Sequence, residues 1–545
     1  MLTAKMKSWL PDWRIVPAAV CYCFAFPPYD FPFLIFPAFG FWFASLHRRK
    51  NWKEAALDGL WMSQIIAWIS FTWVAYAVRQ FGGLPMPLAY VVLVLFGLVC
   101  QPQFWLFTPL WFFLRKQFPR YAGAAGFLIP LAYAAFDYGL PKLFADTAGH
   151  AYYARPWLRQ AADLGGAALL TFFTVALSLF FWRALEDSIA SKAPAQRAVL
   201  SWGRSNRVWV GWIVVMSAGW VGYGIWRVED IRNKMDSAAD HLQLAVIQAN
   251  IGDFDKIASE RGIGGAANEI LRQYFELSDE AMTLSPRPDA LIWPETAYPS
   301  TFRTPSTSSE TKRDEQMAEF VRTRNVSLLF GGYDHQGGKD FNAFFFLAPP
   351  AAPSDLQTYQ KNLLLWFGEY MPLSEYFDWL KRQFPQVGNF GRGRGPSVLT
   401  VRGVPVSPII CYEALFASYT LPAVIEGSRL IINVTNDSWF GPWGEPQLHF
   451  ALTVFRGIEA RVPQLRATNT GISALILTDG SVEQQTALFK PEILNVRIPI
   501  HEPIPTLMKR WGDWFAPFAA LVVALSLMGS FVWRGSVRRR KLPKL

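Results

Sequence analysis

The stretch VSPIICYEALF, residues 406–416, decides how this chain is read. It runs apolar almost without a break up to Cys411, which is what a strand buried on both faces requires, whereas a half-exposed strand would alternate. LQLAVIQANI (242–251), DALIWPETAYP (289–299), VSLLFGGY (326–333), RLIINVTND (429–437) and SALILTDG (473–480) follow the same pattern and read as further strands. Residues 266–283, 310–324 and 447–461 read as helices between them. Together they predict an α/β domain over 234–510, with helices covering both faces of a largely buried sheet.

Outside those limits the composition changes. Residues 13–230 and 512–533 are dense in Leu, Val, Ala, Phe and Trp, and the whole chain is 52% apolar with only 17% charged residues. A chain of 545 residues is expected to hold more than one unit. Eight apolar segments mark helices, at about 13–26, 31–46, 57–78, 84–114, 121–139, 161–182, 208–227 and 514–533. The fourth is overlong and is predicted to kink at Gln101-Pro102-Gln103. The fold class is thus a multi-pass α-helical membrane domain of about eight helices plus one α/β insert. Its expected domains are a transmembrane region over 1–233 with about seven helices, the insert over 234–510, and a last membrane helix with a basic tail over 511–545. Lys5 and Lys7 precede the first apolar stretch, but no small-x-small site closes it and another apolar segment follows. The expectation is a retained helix rather than a cleaved signal.

Orientation follows from Lys and Arg. With the N-terminus in the cytoplasm, the inward segments carry 21 of these residues, and the outward short loops carry only Arg79, Lys142, Arg155 and Arg159. Both termini are therefore expected in the cytoplasm of a bacterial inner membrane, with the insert in the periplasm. The same placement explains the net charge of +10 as orientation signals. No basic stripe interleaved with aromatics occurs in 234–510, so nucleic acid is not an expected partner. Cys21, Cys23 and Cys100 lie in apolar spans and Cys411 is alone in the insert. That excludes a disulfide framework there, and no Cys/His spacing suggests a metal site.

Three segments of the insert carry reactive side chains. Glu295 follows Trp293-Pro294 where a strand stops; Lys361 opens KNLLLWFGEYMP, with Glu369 inside it; Cys411 closes an apolar run and precedes Tyr412 and Glu413. A base, a cation and a nucleophile at strand ends suit acyl transfer. Cys411 would attack a carbonyl, Glu295 would take the thiol proton, and Lys361 would lower the thiol pKa and help hold the oxyanion. Taken singly, each has an ordinary reading: a lone buried cysteine is usually a small apolar residue, and a loop Lys or Glu is usually solvated. Their joint occurrence is what carries weight.

QANI (248–251), WPET around Glu295, Y-x-K around Lys361, FGEYMP (367–372), CYE (411–413), NDSWFG (436–441), His449 and RATNTGIS (466–473) run through the insert in a recognisable order. On these motifs the insert resembles the nitrilase, or carbon–nitrogen hydrolase, superfamily. With its flanking helices, the whole chain resembles the bacterial apolipoprotein N-acyltransferase family. The resemblance implies an αββα sandwich for the insert and a Glu295–Lys361–Cys411 triad, with Glu369 as a second active-site carboxylate. It implies that Tyr412 and Glu413 support the cysteine and that Trp439 and Phe440 lie on a mobile loop near a lipid entrance. For Glu369 the bland alternative is a structural ion pair, and for Trp439 it is core packing.

The implied activity moves an acyl chain from a phospholipid, through a Cys411 thioester, to the N-terminal amine of a diacylglyceryl-cysteine lipoprotein. It calls for no cofactor or metal, and a monomer is expected. Two alternatives stay open: a membrane-tethered amidase or nitrilase, and a non-catalytic scaffold or transporter. Charged residues inside spans would favour the last, and the sequence offers only Asp58 and Asp137 near span ends. Two positions depart from the family pattern. Leu365-Trp366 stands where Val-Pro is usual, and Lys256 is followed by Ile257 where Lys-Trp is usual.

Overall fold

The computed structural model describes residues 10–119, 121–191, 195–252, 265–305, 307–351, 356–383 and 387–540. The departure at Lys256-Ile257 lies outside them. The chain divides into two compact units: one comprises residues 1–75, 85–227 and 513–545, and the other 76–84 and 228–512.

Among the described residues the regular elements of the first unit are all helices. Each of the eight apolar segments contains helix, from Ile15–Phe24 to Phe515–Arg540. Among the described residues two helices, Ala162–Ala190 and Arg207–Asp236, are long and apolar enough to cross a membrane, or up to four if each bent pair counts as one span. One bend, of 42°, separates Met86–Val99 from Gln103–Gln117, at the predicted kink. The other corrects the sequence reading: 57–78 is not one rod but Trp52–Ser70 and Trp73–Gln80 at 64°. No Pro or Gly marks the break at Phe71-Thr72, so the sequence gives no warning of it. Asp58 is buried and accepts from Arg49 Nη2 at 2.6 Å, and Asp137 is buried against Lys142 Nζ at 3.1 Å. Each thus has a basic partner, as buried charge in a membrane bundle requires.

In the second unit the expectation of one sheet is corrected. Among the described residues its strands form two six-stranded sheets. The first contains β1 (Asp240–Gln248), β2 (Ala290–Ile292), β3 (Ser327–Gln336), β4 (Lys339–Leu347), β5 (Gln357–Gln360) and β12 (Glu492–Ile500), in the order β12-β1-β2-β3-β4-β5. The second contains β6 (Leu399–Val401), β7 (Val404–Ile410), β8 (Leu430–Thr435), β9 (Gln464–Thr468), β10 (Ala474–Ile476) and β11 (Val482–Gln485), in the order β11-β10-β9-β8-β7-β6. In each sheet three parallel strands, β1-β2-β3 or β7-β8-β9, form the centre and antiparallel strands flank them. Gln248 Oε1 at the end of β1 accepts from Thr468, Ser473 and Thr486 of the other sheet at 3.1, 2.6 and 2.8 Å, so the two sheets are joined through buried polar atoms.

Helices cover the outer faces. Helix α1 (Ala266–Ala281) buries Ile270, Leu271, Tyr274 and Ser278 at helical spacing. Helix α2 (Ser308–Arg324) opens on a Thr307/Glu310 capping box and ends on left-handed Asn325. Their apolar faces share one core with Leu291, Trp293, Leu328 and Phe330. Helices α3 (Ala417–Ile425) and α4 (Glu445–Ala460) accompany the second sheet. The fold is therefore the αββα sandwich that the family resemblance implies. An unbroken apolar strand shows burial on both faces but not whether a helix or a second sheet covers the second one, which is why the pattern alone suggested a single sheet.

Candidate active site

Glu295, Lys361 and Cys411 all lie just past the C-terminal ends of strands, where open α/β sheets present their ligand sites. The turn after β2 places Glu295. Pro294 has no N–H to extend the ladder, and Thr296 is left-handed at φ 51°. Lys361 follows β5 and is still held to β4, donating its N–H to the Asn342 carbonyl at 2.8 Å. Cys411 follows β7 and is itself left-handed, at φ 50°. A side chain is held in that conformation only when its surroundings fix it, and such strain gathers at functional turns.

The brace around Cys411 is Glu413. Its buried carboxylate accepts from the N–H groups of Ile410, Asn362 and Leu363 at 2.8, 2.7 and 3.2 Å, and from the Tyr359 hydroxyl at 2.6 Å. One side chain thereby ties the cysteine turn to the lysine segment. Burial raises the Glu413 carboxyl, and the Tyr359, Ile410 and Asn362 hydrogen bonds oppose that rise. Tyr412 is buried and packs edge-on to Phe416, with ring centres 5.1 Å apart.

Lys361 Nζ sits between two carboxylates, 3.2 Å from Glu295 Oε1 and 2.8 Å from Glu369 Oε2. Burial would lower its pKa, but Glu295 and Glu369 outweigh that and raise it well above the ordinary lysine value, so it is a fixed cation. Glu369 also accepts the Leu365 N–H at 2.9 Å, which closes the turn that carries the Leu365-Trp366 departure. Glu295 has three donors: Lys361, Asn342 Nδ2 at 2.7 Å and the Asn436 N–H at 2.9 Å. The Cys411 thiol is raised well above its usual value by burial first and by the Glu295 charge second, against a lowering pull from Lys361. The expectation that Lys361 lowers the thiol pKa is right in sign for that one interaction, but the net shift is upward. The resting sulfur is a neutral thiol, and it needs a base.

Asn342 escaped the sequence reading. Its Nδ2 bridges Glu295 and Glu369, at 2.7 and 2.8 Å. The available signal was a single amide inside FNAFFFL, an otherwise apolar strand.

Trp439 and Phe440 are half-buried in a short turn, Asp437–Phe440. Trp439 packs against Phe81 with ring centres 4.4 Å apart. Behind that turn lies a buried charge cluster. Asp437 takes Arg466 Nη2 at 2.9 Å and His449 Nδ1 at 3.0 Å, and Glu445 lies 3.4 Å from His449 Nδ1. Asp437, Glu445 and His449 have donor atoms close enough together to hold a metal ion. The Arg466 guanidinium already supplies the positive charge there, 3.2 Å from His449 Nδ1, so the group reads as an ion network rather than a metal cage. Burial would raise the Asp437 carboxyl, but Arg466 and His449 outweigh it and hold it down at about 2.

Comparison with known proteins agrees with this architecture. Residues 18–180 match the apolipoprotein N-acyltransferase N-terminal domain family, and residues 243–502 match the carbon-nitrogen hydrolase family. A Bdellovibrio bacteriovorus protein named apolipoprotein N-acyltransferase is 32% identical over 94% of this chain and 91% of its own length. Proteins of that name from Geobacter metallireducens and Gloeobacter violaceus are each 28% identical, over 73% of both chains in the first case and 70% and 66% in the second.

Proposed function

The chain belongs to the apolipoprotein N-acyltransferase family, and from that premise we propose that Glu295, Lys361 and Cys411 carry an acyl group from a membrane phospholipid to a lipoprotein amine. It is an acyltransferase and a membrane protein. The observation that carries the proposed mechanism is the Lys361 ammonium held between Glu295 and Glu369 beside a cysteine in a left-handed turn.

In the first half-reaction Glu295 takes the thiol proton as the Cys411 sulfur bonds to the ester carbonyl carbon of the donor lipid. Lys361 stabilises the resulting oxyanion, an interaction typically worth about 2.7–4 kcal/mol in the transition state. Collapse breaks the ester C–O bond, and Glu295 returns the proton to the departing lysophospholipid alkoxide. In the second half-reaction the α-amine of a diacylglyceryl-cysteine attacks the thioester and Glu295 accepts its proton. The C–S bond then breaks, and the thiolate regains the proton, leaving an amide. With a reference pKa of about 7.7–8, a useful fraction of that amine is neutral near neutral pH. Glu369 and Asn342 keep the lysine and the base in register. The excess of Lys and Arg on inward segments supports an inner-membrane placement with the catalytic unit in the periplasm and both termini in the cytoplasm.

The test supplies a radiolabelled phospholipid and a diacylglyceryl-cysteine peptide to the full-length protein in detergent. Conversion to a triacylated peptide is expected from the wild type, with none from Cys411→Ala. Release of free fatty acid with no labelled peptide would instead favour the tethered amidase.

A further inference from the structure

The segment from Gly388 to Gly393 is fastened along the candidate site by its backbone. Gly388 donates to the Gly368 carbonyl at 2.8 Å, Phe390 to Glu369 at 3.3 Å, Gly391 to Asp340 at 2.8 Å and Gly393 to Lys361 at 2.8 Å. Asn362 Nδ2 returns a bond to the Gly393 carbonyl at 2.5 Å. Only glycine fits at 393, because a Cβ there would sit 2.0 Å from the Gln360 carbonyl oxygen. Two arginines stand at its end, Arg392 within the strip and Arg394 just past it. Arg392 and Arg394 are both exposed, and among the described residues neither lies within ion-pair distance of a carboxylate. The Arg392 guanidinium lies over the Tyr370 ring, 4.8 Å from its centre, which fixes it beside the residue that follows Glu369.

The neighbouring turn is apolar and exposed. Trp366, Phe367, Leu373, Phe377 and Trp379 all present large side chains to the outside. Isolated exposed apolar residues are ordinary, but with Tyr376 these make six within fourteen positions, which is not. Exposed aromatics beside arginines free of carboxylates are the surface chemistry of a lipid interface, where rings meet acyl chains and cations meet headgroups.

We propose that Arg392 and Arg394 form a subsite for the phosphodiester of the donor lipid's headgroup. Arginine suits this role, since its planar fork binds a phosphate through two parallel N–H bonds. The glycine-rich strip fixes the pair relative to Lys361 and Glu369, so a phosphate gripped there places the adjoining glycerol esters at the cysteine. Such a subsite presupposes the phospholipid donor proposed above.

The test uses the full-length protein in neutral detergent and follows acyl-enzyme formation against donor concentration, for phosphatidylglycerol and for diacylglycerol with the same chains. The double variant R392A/R394A should raise the KM for phosphatidylglycerol about tenfold with kcat nearly unchanged, while the diacylglycerol reaction stays as in the wild type. R392K/R394K should fall between, because it keeps charge but loses the fork. Equal losses on both donors, or no change on either, would overturn the subsite. Retention of a dialkyl ether phosphatidylglycerol, read by native mass spectrometry, keeps the subsite testable apart from the chemistry. That lipid has the phosphodiester but no ester to cleave. A wild type that retained it about tenfold better than the double variant, yet formed no acyl-enzyme from ordinary phosphatidylglycerol, would sustain the subsite and sink the mechanism. Equal retention would sink the subsite.

Discussion

The backbone N–H of Asn436 donates to Glu295 Oε2 at 2.9 Å. Glu295 follows β2 of one sheet and Asn436 follows β8 of the other, so this bond joins the two halves of the sandwich at the candidate base. The other carboxylate oxygen takes Asn342 and Lys361. Glu295 is therefore aimed by partners just past two strand ends, Lys361 and Asn436, and by Asn342 within β4, and small displacements of any of them should be felt in rate.

Asn342→Leu should show this first. The change removes a buried donor shared by Glu295 and Glu369 and leaves both carboxylates short of a hydrogen bond. Bonds to charged groups are worth about 1.5–3 kcal/mol, so kcat for acyl transfer should drop about ten- to a hundredfold. A rate within twofold of wild type would show that Lys361, with the Asn436 and Leu365 N–H groups, suffices to hold the two carboxylates.

Gly331→Ala tests position without touching polar chemistry. A Cβ at Gly331 would lie 2.6 Å from the Glu295 Cα and 2.5 Å from the Pro294 carbonyl oxygen, so the turn that carries the base must move. A misplacement of about 1 Å can cost a hundredfold in rate, which is the expected loss in kcat. Gly332→Ala is the control. A Cβ there first meets the Tyr298 Cβ at 3.2 Å rather than the Glu295 turn, so it should be milder.

The raised thiol of Cys411 carries its own prediction. Glu295 is the second cause of that rise and Lys361 opposes it, so Glu295→Gln should bring the thiol pKa down. The iodoacetamide-alkylation profile of Cys411 should then shift to lower pH in Glu295→Gln, while acyl transfer is lost. Slower alkylation in the variant would mean that Glu295 already draws the proton in the resting enzyme.

The cluster behind the Asp437–Phe440 turn should set part of the pH dependence of stability. Burial and the Asp437 charge push Glu445 up to about 7, and His449 is also raised, since Asp437 and Glu445 outweigh burial and Arg466. Both groups bind protons more tightly when folded, so their contribution is full at low pH and declines as pH rises through neutrality. Asp437, held at about 2, acts oppositely, and its contribution is lost only as pH falls from about 4 towards 2. The full-length protein should melt higher at pH 5.5 than at pH 8, and Glu445→Gln should reduce that difference. An unchanged difference would place the titration elsewhere.

Much of this was legible in the sequence, and the failures have physical causes. Glu295 and Cys411 were legible as candidates because each stands where an apolar strand runs out, whereas Lys361 follows the polar strand QTYQ and was picked out by the Y-x-K motif. Asn342 could not, because its importance lies in two carboxylates 47 and 27 positions away. β9, QLRAT, was hidden because its buried Arg466 and Gln464 break the apolar pattern that marks a strand. Arg466 is fully buried only because Asp437, Asn433, Thr453 and His449 surround it. α3 was missed because ASYTLPAVI carries Pro422 inside it and continues the apolar character of the strand before.

The most direct test of the central claim is intact-protein mass spectrometry after incubation with phospholipid, followed by addition of a diacylglyceryl-cysteine peptide. The wild type should gain one acyl mass, placed on Cys411 by peptide mapping, and lose it when the peptide is added. Cys411→Ala should gain none. An acyl adduct that forms equally in Cys411→Ala, or one that the peptide cannot discharge, would contradict transfer through a Cys411 thioester.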